Sequence, residues 1–296
     1  LIDDGLRRQL GLAIRPPWRP YLMGVVNATP DSFSDVPGKK SVSERRALAQ
    51  RLIADGADII DVGGESGVTN KPAVAVQEEI ERVVPVIEAV AELPGAVISV
   101  DTYKPAVARA AIEAGARIVN DVSGLADEEL AAVAAEGDAA LVLMHTRAAP
   151  KVKLFPEYDD VVADVCEFLA DAIGRAAACG LPPERVIVDP GPDFAKTPAQ
   201  TIEVLRRIDV LSELGRPILL AAGRKDFIGA LTGRGPRERD AGTLAALGAG
   251  TRQGIAFARV HDVAAAADFL TVRAALSGEL AVDAELALAE GLRRVD

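Results

Sequence analysis

Eight short apolar runs punctuate the chain, at 22–27 (LMGVVN), 58–62 (DIIDV), 97–101 (VISVD), 117–120 (RIVN), 139–144 (AALVLM), 186–189 (VIVD), 217–222 (PILLAA) and 255–260 (IAFARV). Each is apolar almost throughout, as expected of parallel strands covered on both faces. Longer Ala-rich segments with helical spacing lie between them, for example 74–91 and 237–254. In the first, Ile80, Val83, Val84, Ile87 and Val90 fall on one stripe and predict a buried helix face. Helix starts are signalled by Ser41 and Ser43, by Asp127 and by Thr197-Pro198. Eight strands alternating with eight helices admit an open doubly wound sheet or a closed barrel. No GxGxxG follows the first strand, which favours the barrel. The expectation is a single (β/α)8 TIM-barrel domain, an α/β fold, with the barrel over about 22–275. An N-terminal segment 1–20 precedes it. The Ala- and Leu-rich stretch 281–295 predicts an extra helix in a C-terminal extension, 280–296, suited to capping the barrel or serving a dimer.

The polar residues at the strand ends carry more information than the strands. Asn27, Asp61, Asp101, Asn120, His145, Asp189, Arg224-Lys225 and Arg259-x-His261 all stand at or just past the C-terminal end of a run. In a barrel these ends converge on one mouth, where the active sites of this fold lie. Any one of them has a plainer reading as a helix cap or turn former. Asp61, followed by Gly63-Gly64, is the most readily explained that way. Capping explains a full ring of them much less well. Asp101, Asn120 and Asp189 suit a flat heterocycle rich in N–H donors, such as a 2-amino-4-oxopteridine, with Met144 as part of its wall. Arg259 and His261 flank Val260 and project to one side of their strand, so both can face one anion near Asn27. The run MHTRAAPKVK carries Arg147, Lys151 and Lys153, which reads either as an exposed basic loop or as positive potential at the mouth.

Composition narrows the class. The chain has 296 residues, half of them apolar but only 4% aromatic, so the core is built from Ala, Val, Ile and Leu. A formal charge of −11 argues against general nucleic-acid binding, which draws on Lys and Arg. Cys166 and Cys179 fall in one helical stretch, too far apart along its axis for a disulfide. No Cys/His cluster points to zinc, and no Ser/His or Cys/His pair points to a nucleophile. No apolar run is long enough for a membrane span, and no signal peptide is visible. The chain opens on Leu1 rather than Met, consistent with a short leader having been removed. A soluble cytoplasmic protein is expected.

Seven segments then make a resemblance: MGVVNATPDSFSD (23–35), GADIIDVGGES (56–66), ISVDTYKPAVARAAIEAGARIVNDVSG (98–124), LVLMH (141–145), VIVDPGPDFAKT (186–197), GRKDFIG (223–229) and RVHDV (259–263). In order and spacing they resemble the consecutive motifs of the dihydropteroate synthases, pterin-binding TIM-barrel enzymes. The resemblance implies condensation of 6-hydroxymethyl-7,8-dihydropterin diphosphate with p-aminobenzoate, releasing pyrophosphate, a step of folate biosynthesis. It implies that Asp101, Asn120, Asp189 and Lys225 hold the pterin, with Met144 beside it. Asn27, Arg259 and His261 would bind the pyrophosphate, Asn27 also near a Mg2+ ion. Phe194 and Lys225 would line the p-aminobenzoate pocket, and Asp31, Phe33 and Asp35 would lie on a closing loop. A homodimer is implied as well.

The match departs from the family in the second-substrate half. The usual Gly-Gly-Glu-Ser-Thr-Arg-Pro-Gly is here Gly63-Gly64-Glu65-Ser66-Gly67-Val68-Thr69-Asn70, so Gly67 and Val68 replace a Thr and an Arg. Lys71 or Arg147 would be the cations nearest to hand as substitutes. The usual Ser-Arg-Lys-Ser becomes Gly223-Arg224-Lys225-Asp226. Pro192-Asp193-Phe194-Ala195 stands where Ile-Gly-Phe-Gly is common, and Asp193 places a negative charge beside a pocket meant for a carboxylate. The loop 35–40 reads Asp-Val-Pro-Gly-Lys-Lys in place of Asp-Gly-Gly. Weakened binding of sulfonamides, which imitate p-aminobenzoate, is the expected consequence. Two alternatives stay open: a pterin-binding paralogue with weak or no synthase activity, and a methyltetrahydrofolate-dependent methyltransferase.

Overall fold

A computed structural model describes residues 2–29, 41–67, 69 and 72–293. Eight strands form the frame: β1 (Tyr21–Asn27), β2 (Ile59–Gly63), β3 (Val97–Asp101), β4 (Ile118–Asp121), β5 (Ala140–Met144), β6 (Val186–Asp189), β7 (Leu219–Leu220) and β8 (Phe257–Val260). All pair in parallel, in the order β6-β5-β4-β3-β2-β1-β8-β7. A parallel bridge between Val188 and Ile218, with the Val188 amide donating to Pro217 O at 3.0 Å, joins β6 to β7 and closes the barrel.

The helices are α1 (Asp4–Leu10), α2 (Val42–Ala54), α3 (Val76–Ala91), α4 (Pro105–Glu113), α5 (Glu129–Glu136), α6 (Val161–Ala178), α7 (Pro198–Arg206), α8 (Asp226–Thr232), α9 (Asp240–Arg252) and α10 (Val263–Leu276). Their starts follow local chemistry. Ser41 and Glu44 form a capping box on α2, and Thr197 and Gln200 form another on α7, with Pro198 in its first turn. The segment read as one helix at 237–254 divides into a short 3-10 turn and α9.

Two apolar cores flank the barrel wall. Leu22, Val26, Ile60, Val62, Ile98, Val100, Val119, Leu141 and Val188 point outward against the helices. Tyr21, Met23, Ile59, Val97, Ile118, Val142, Ile187 and Phe257 fill the interior. Leu6 and Leu10 of α1, with Leu12, pack against that inner set and plug the lower end, which gives the N-terminal segment its place in the fold. Strand side chains alternate between faces. The inward row that begins with Met23, Ile59, Val97, Ile118, Ile187 and Phe257 therefore continues toward Asn27, Asp61, Asp101, Asn120, Asp189 and Arg259. Apolar residues form the lower layers and polar ones the mouth, as this architecture requires.

The predicted C-terminal helix is not formed. Gly278 takes a left-handed φ of 77° just past the end of α10, and between Leu280 and Arg293 the regular structure is one 3-10 turn, Glu290–Leu292. Val282, Leu286, Leu288 and Leu292 are exposed there. A short helix with no core to cover its apolar face is marginal in water, whatever its Ala content.

Candidate functional site

Arg259, entering from β8, is the centre of the mouth. Its Nε donates to Asp61 Oδ2 at 2.6 Å and its Nη2 to Asp101 Oδ2 at 2.9 Å. Asn120 Nδ2 donates to the same Asp61 oxygen at 3.3 Å. Asp61 is fully buried, and its Oδ1 has no hydrogen-bond partner among the described residues. It is no turn former: it counterbalances Arg259 from beneath. That role was invisible in the sequence, because the partner lies on the far end of the chain. Burial pushes Asp101 up to about 7; Arg259 opposes this, while the charges of Asp61 and Glu79 add to it. One guanidinium shared by two carboxylates leaves a net negative floor, ready for N–H donors.

Asp189 at the end of β6 is buried and accepts from the Gly191 amide at 2.7 Å. Burial raises it, against the Gly191 hydrogen bond and the charge of Lys225. Gly191 has φ +65°, and a Cβ there would lie 2.0 Å from His145 O. Only glycine fits where β5 and β6 loops touch. Met144 ends β5 beside it, buried. Lys225 precedes α8 and sets its ammonium 4.6 Å above the Phe194 ring. Burial lowers Lys225, against the attraction of Asp193 and Asp189.

His261 lies past β8, and its Nδ1 is buried with no partner among the described residues. Burial brings it down to about 4, with Arg259 and Arg224 acting in the same sense. A Cβ at Gly223 would meet that Nδ1 at 2.8 Å, so the ring occupies the space a side chain at 223 would need. The turn is built around Arg224, at φ +53°, which forks onto Asp240 at 2.8 and 2.9 Å. Asn27 is half-buried at the end of β1, and its carbonyl accepts from Arg45 Nε at 3.0 Å. Asp31, Phe33, Asp35, Val68 and Lys71 lie outside the described residues.

Several contributors escaped the sequence reading. Lys196 is 1% exposed, yet its ammonium reaches His145 Nδ1 at 2.6 Å and the carbonyls of Gly191 and Phe194 at 3.1 Å each. Burial pulls it down to about 7. His145 in turn holds Asp164 through Nε2 at 2.8 Å, and burial with the Lys196 charge lowers it to about 3. A neutral imidazole accepting at Nδ1 and donating at Nε2 satisfies both. Arg147 forks onto the same Asp164 at 3.0 and 2.8 Å, so its charge is balanced on α6.

Glu65, just past β2, is held from two sides. Lys104 Nζ binds Glu65 at 2.7 Å, Glu79 at 2.5 Å and Val74 O at 2.7 Å. Lys151 reaches Glu65 at 2.9 Å and also donates to Ser66 O. Burial would raise Glu65, but hydrogen bonds from Lys104, Lys151 and the Val74 amide outweigh it and hold it below its ordinary value. Lys151 is therefore a strut between two loops, whereas Lys153 is exposed as an ordinary basic loop residue would be. Asp193 likewise is not a free charge beside the pocket: its carboxylate accepts from the amides that open α8, Asp226 at 2.5 Å and Phe227 at 3.2 Å.

A family model described as "Pterin binding enzyme" matches residues 23–261. A dihydropteroate synthase from Streptococcus pyogenes serotype M3 is 43% identical over 254 residues, 85% of this chain and 93% of the relative. The chain belongs to the dihydropteroate synthase family. Among solved structures, the dihydropteroate synthase of Xanthomonas albilineans with 4-aminobenzoic acid superposes with a TM-score of 0.81 at 43% identity, covering 88% of this chain and 93% of that one. The same organism's enzyme in complex with 7,8-dihydropteroate gives 0.79 at 43% identity, covering 88% and 94%. As a dihydropteroate synthase the chain is a transferase of folate biosynthesis with a pterin-binding barrel, and its substrates are small molecules. No helix among the described residues is long and apolar enough to cross a membrane.

Proposed function

We propose that the chain joins the amine of p-aminobenzoate to the hydroxymethyl carbon of 6-hydroxymethyl-7,8-dihydropterin diphosphate through the residues of this mouth. The observation that carries the assignment is the floor, where Arg259 is shared by Asp61 and Asp101 beside Asn120, facing Asp189 and Lys225. The reaction forms one C–N bond and breaks one C–O bond. Pyrophosphate leaves with the C–O electron pair, and the amine gives up a proton. An aniline-type nitrogen is uncharged at neutral pH, so no strong base is required.

Asp101 and Asp189 accept from the amino-amidine edge of the pterin, and Asn120 both donates and accepts. Lys225 lies over Phe194, where it can serve the ring on one side and the p-aminobenzoate carboxylate on the other. Donors from the pterin to Asp101 would loosen its hold on Arg259, whose second face then serves the diphosphate. His261, neutral because burial holds it near 4, offers an N–H to the leaving group without adding charge. Stabilising charge that develops on departure is the larger part of the task.

Magnesium fits this set. Mg2+ takes oxygen ligands and usually keeps several waters beside one or two protein groups and substrate phosphates, and the Asn27 amide oxygen at the end of β1 would be the protein group here. No cluster of three or more His, Cys, Asp or Glu able to hold an ion alone occurs among the described residues, so the diphosphate would bring the remaining ligands. When bound, the ion draws charge off the leaving group. Asp31, Phe33 and Asp35, outside the described residues, are assigned to the same site by the resemblance alone. A cytoplasmic homodimer is part of the proposal; exposed Val272 and Leu276 on α10 offer apolar surface for a second copy. The test is pyrophosphate release by purified protein with Mg2+ and the pterin diphosphate. Release that depends on added p-aminobenzoate supports the proposal, and none on its addition sinks it.

A further inference from the structure

Asp193 stands in the loop after β6 with φ +68°, in the left-handed region that favours glycine, and Ala195 follows at φ +50°. A non-glycine residue persists there only when its surroundings hold it. Here they do. Asp193 Oδ2 accepts from the Asp226 amide at 2.5 Å, and both carboxylate oxygens accept from the Phe227 amide, at 3.2 and 3.3 Å. Thr201 Oγ1 on α7 accepts from the Asp193 amide at 3.1 Å and donates to Asp193 Oδ1 at 3.3 Å. The residue preceding α8, Lys225, gives that helix no side-chain cap of its own, so Asp193 supplies the cap from another part of the chain. Three elements meet at one carboxylate: the β6 loop that carries Phe194, the start of α7, and the start of α8, immediately after Lys225.

We propose that Asp193 is a positioning residue for the second substrate. It clasps the Phe194 loop to the α8 terminus and so fixes the Lys225 ammonium over the Phe194 ring. The inference rests on the assignment of Phe194 and Lys225 to the p-aminobenzoate pocket. The loop is already held from inside by Lys196, which binds Gly191 O and Phe194 O, and from outside by Tyr158, whose hydroxyl donates to Ala195 O at 2.7 Å. None of these reaches α8. Among the described residues the Asp193 carboxylate is what ties Phe194's loop to the turn that bears Lys225, and Arg239 secures the other side of that turn through the carbonyls of Arg224 and Lys225. The pterin floor of Asp101, Asn120 and Asp61 is built from β2, β3 and β4, so the clasp bears on the pterin through Lys225, which the assignment shares between the two substrates.

The test compares wild type with Asp193→Gly, which removes the carboxylate but suits the left-handed backbone, and with Asp193→Asn, which keeps an acceptor and also tolerates that backbone. For Asp193→Gly, KM for p-aminobenzoate should rise about tenfold, below the roughly hundredfold that a misplacement of about 1 Å can cost, while KM for the pterin diphosphate, which Asp101, Asn120 and Asp189 also hold, should rise clearly less. Asp193→Asn should restore most of the difference. An unchanged p-aminobenzoate KM, or an equal rise in both constants, overturns the proposal. Amide hydrogen exchange at Asp226 and Phe227 gives a readout independent of turnover. Faster exchange in Asp193→Gly is expected, and unchanged exchange also overturns the clasp. Wild type lacking turnover would instead overturn the assigned reaction and leave the exchange result to judge the clasp.

Discussion

Replacing Lys196 by Met should change how stability depends on pH. Lys196 is 1% exposed, and burial brings its ammonium from 10.5 to about 7. Below pH 7 the group is protonated whether folded or unfolded, and the folded state carries a cost of about 5 kcal/mol from that difference. Above pH 10.5 both states are neutral and the cost is gone. Between these limits the unfolded chain binds more protons than the folded one, so this residue's contribution to stability improves as pH rises, by up to about 1.4 kcal/mol per pH unit. The Met variant lacks both the cost and the hydrogen bonds to His145, Gly191 and Phe194. Urea unfolding of the two proteins at pH 7.0, 8.2 and 9.5 (about three points across the window) should therefore show wild type gaining about 3 kcal/mol on the variant across the series. His145, held near 3, titrates below this window and does not confuse the comparison. A difference that stays flat with pH would refute the reasoning, because it would mean Lys196 remains an ordinary protonated lysine in the fold.

Arg259→Met should lower kcat/KM for pyrophosphate release by about a hundredfold or more, the usual effect of removing a charge-stabilising donor. It should also cost about 3 kcal/mol in chemical unfolding, since Asp61 and Asp101 lose their shared counter-charge; a variant with normal kinetics would remove Arg259 from the site. Sulfonamide inhibition should be weaker than for relatives that carry Thr-Arg and Ser where this chain has Gly67-Val68 and Gly223. An inhibition curve of ordinary sensitivity would contradict that.

The barrel was legible because parallel strands buried on both faces leave continuous apolar runs, and its mouth because inward polar residues must sit at the strand ends. β7 was read over six residues, whereas its regular pairing with β8 runs over Leu219–Leu220 and Ile218 adds only the bridge to Val188. The C-terminal helix was misread because composition reports propensity, whereas helix formation also needs a surface to pack on. The pairing of Asp61, which was named at its strand end but read most readily as a turn former, and the part played by Lys196 escaped for a common reason. Asp61 is defined by Arg259, 198 positions away, and Lys196 by His145, 51 positions away, and a single sequence carries no sign of either pairing. Asp193 was read as a charge beside the pocket, but a charged residue at a position where the family commonly has glycine also signals a backbone that needs a compensating contact.

The central claim is that this mouth performs the full condensation. The most direct measurement is a quenched incubation of purified protein, Mg2+, the pterin diphosphate and p-aminobenzoate, with 7,8-dihydropteroate and pyrophosphate quantified together. The account predicts equal amounts of both, with neither formed when p-aminobenzoate is left out. Pyrophosphate released without dihydropteroate, or no product from a protein that binds the pterin, would contradict it.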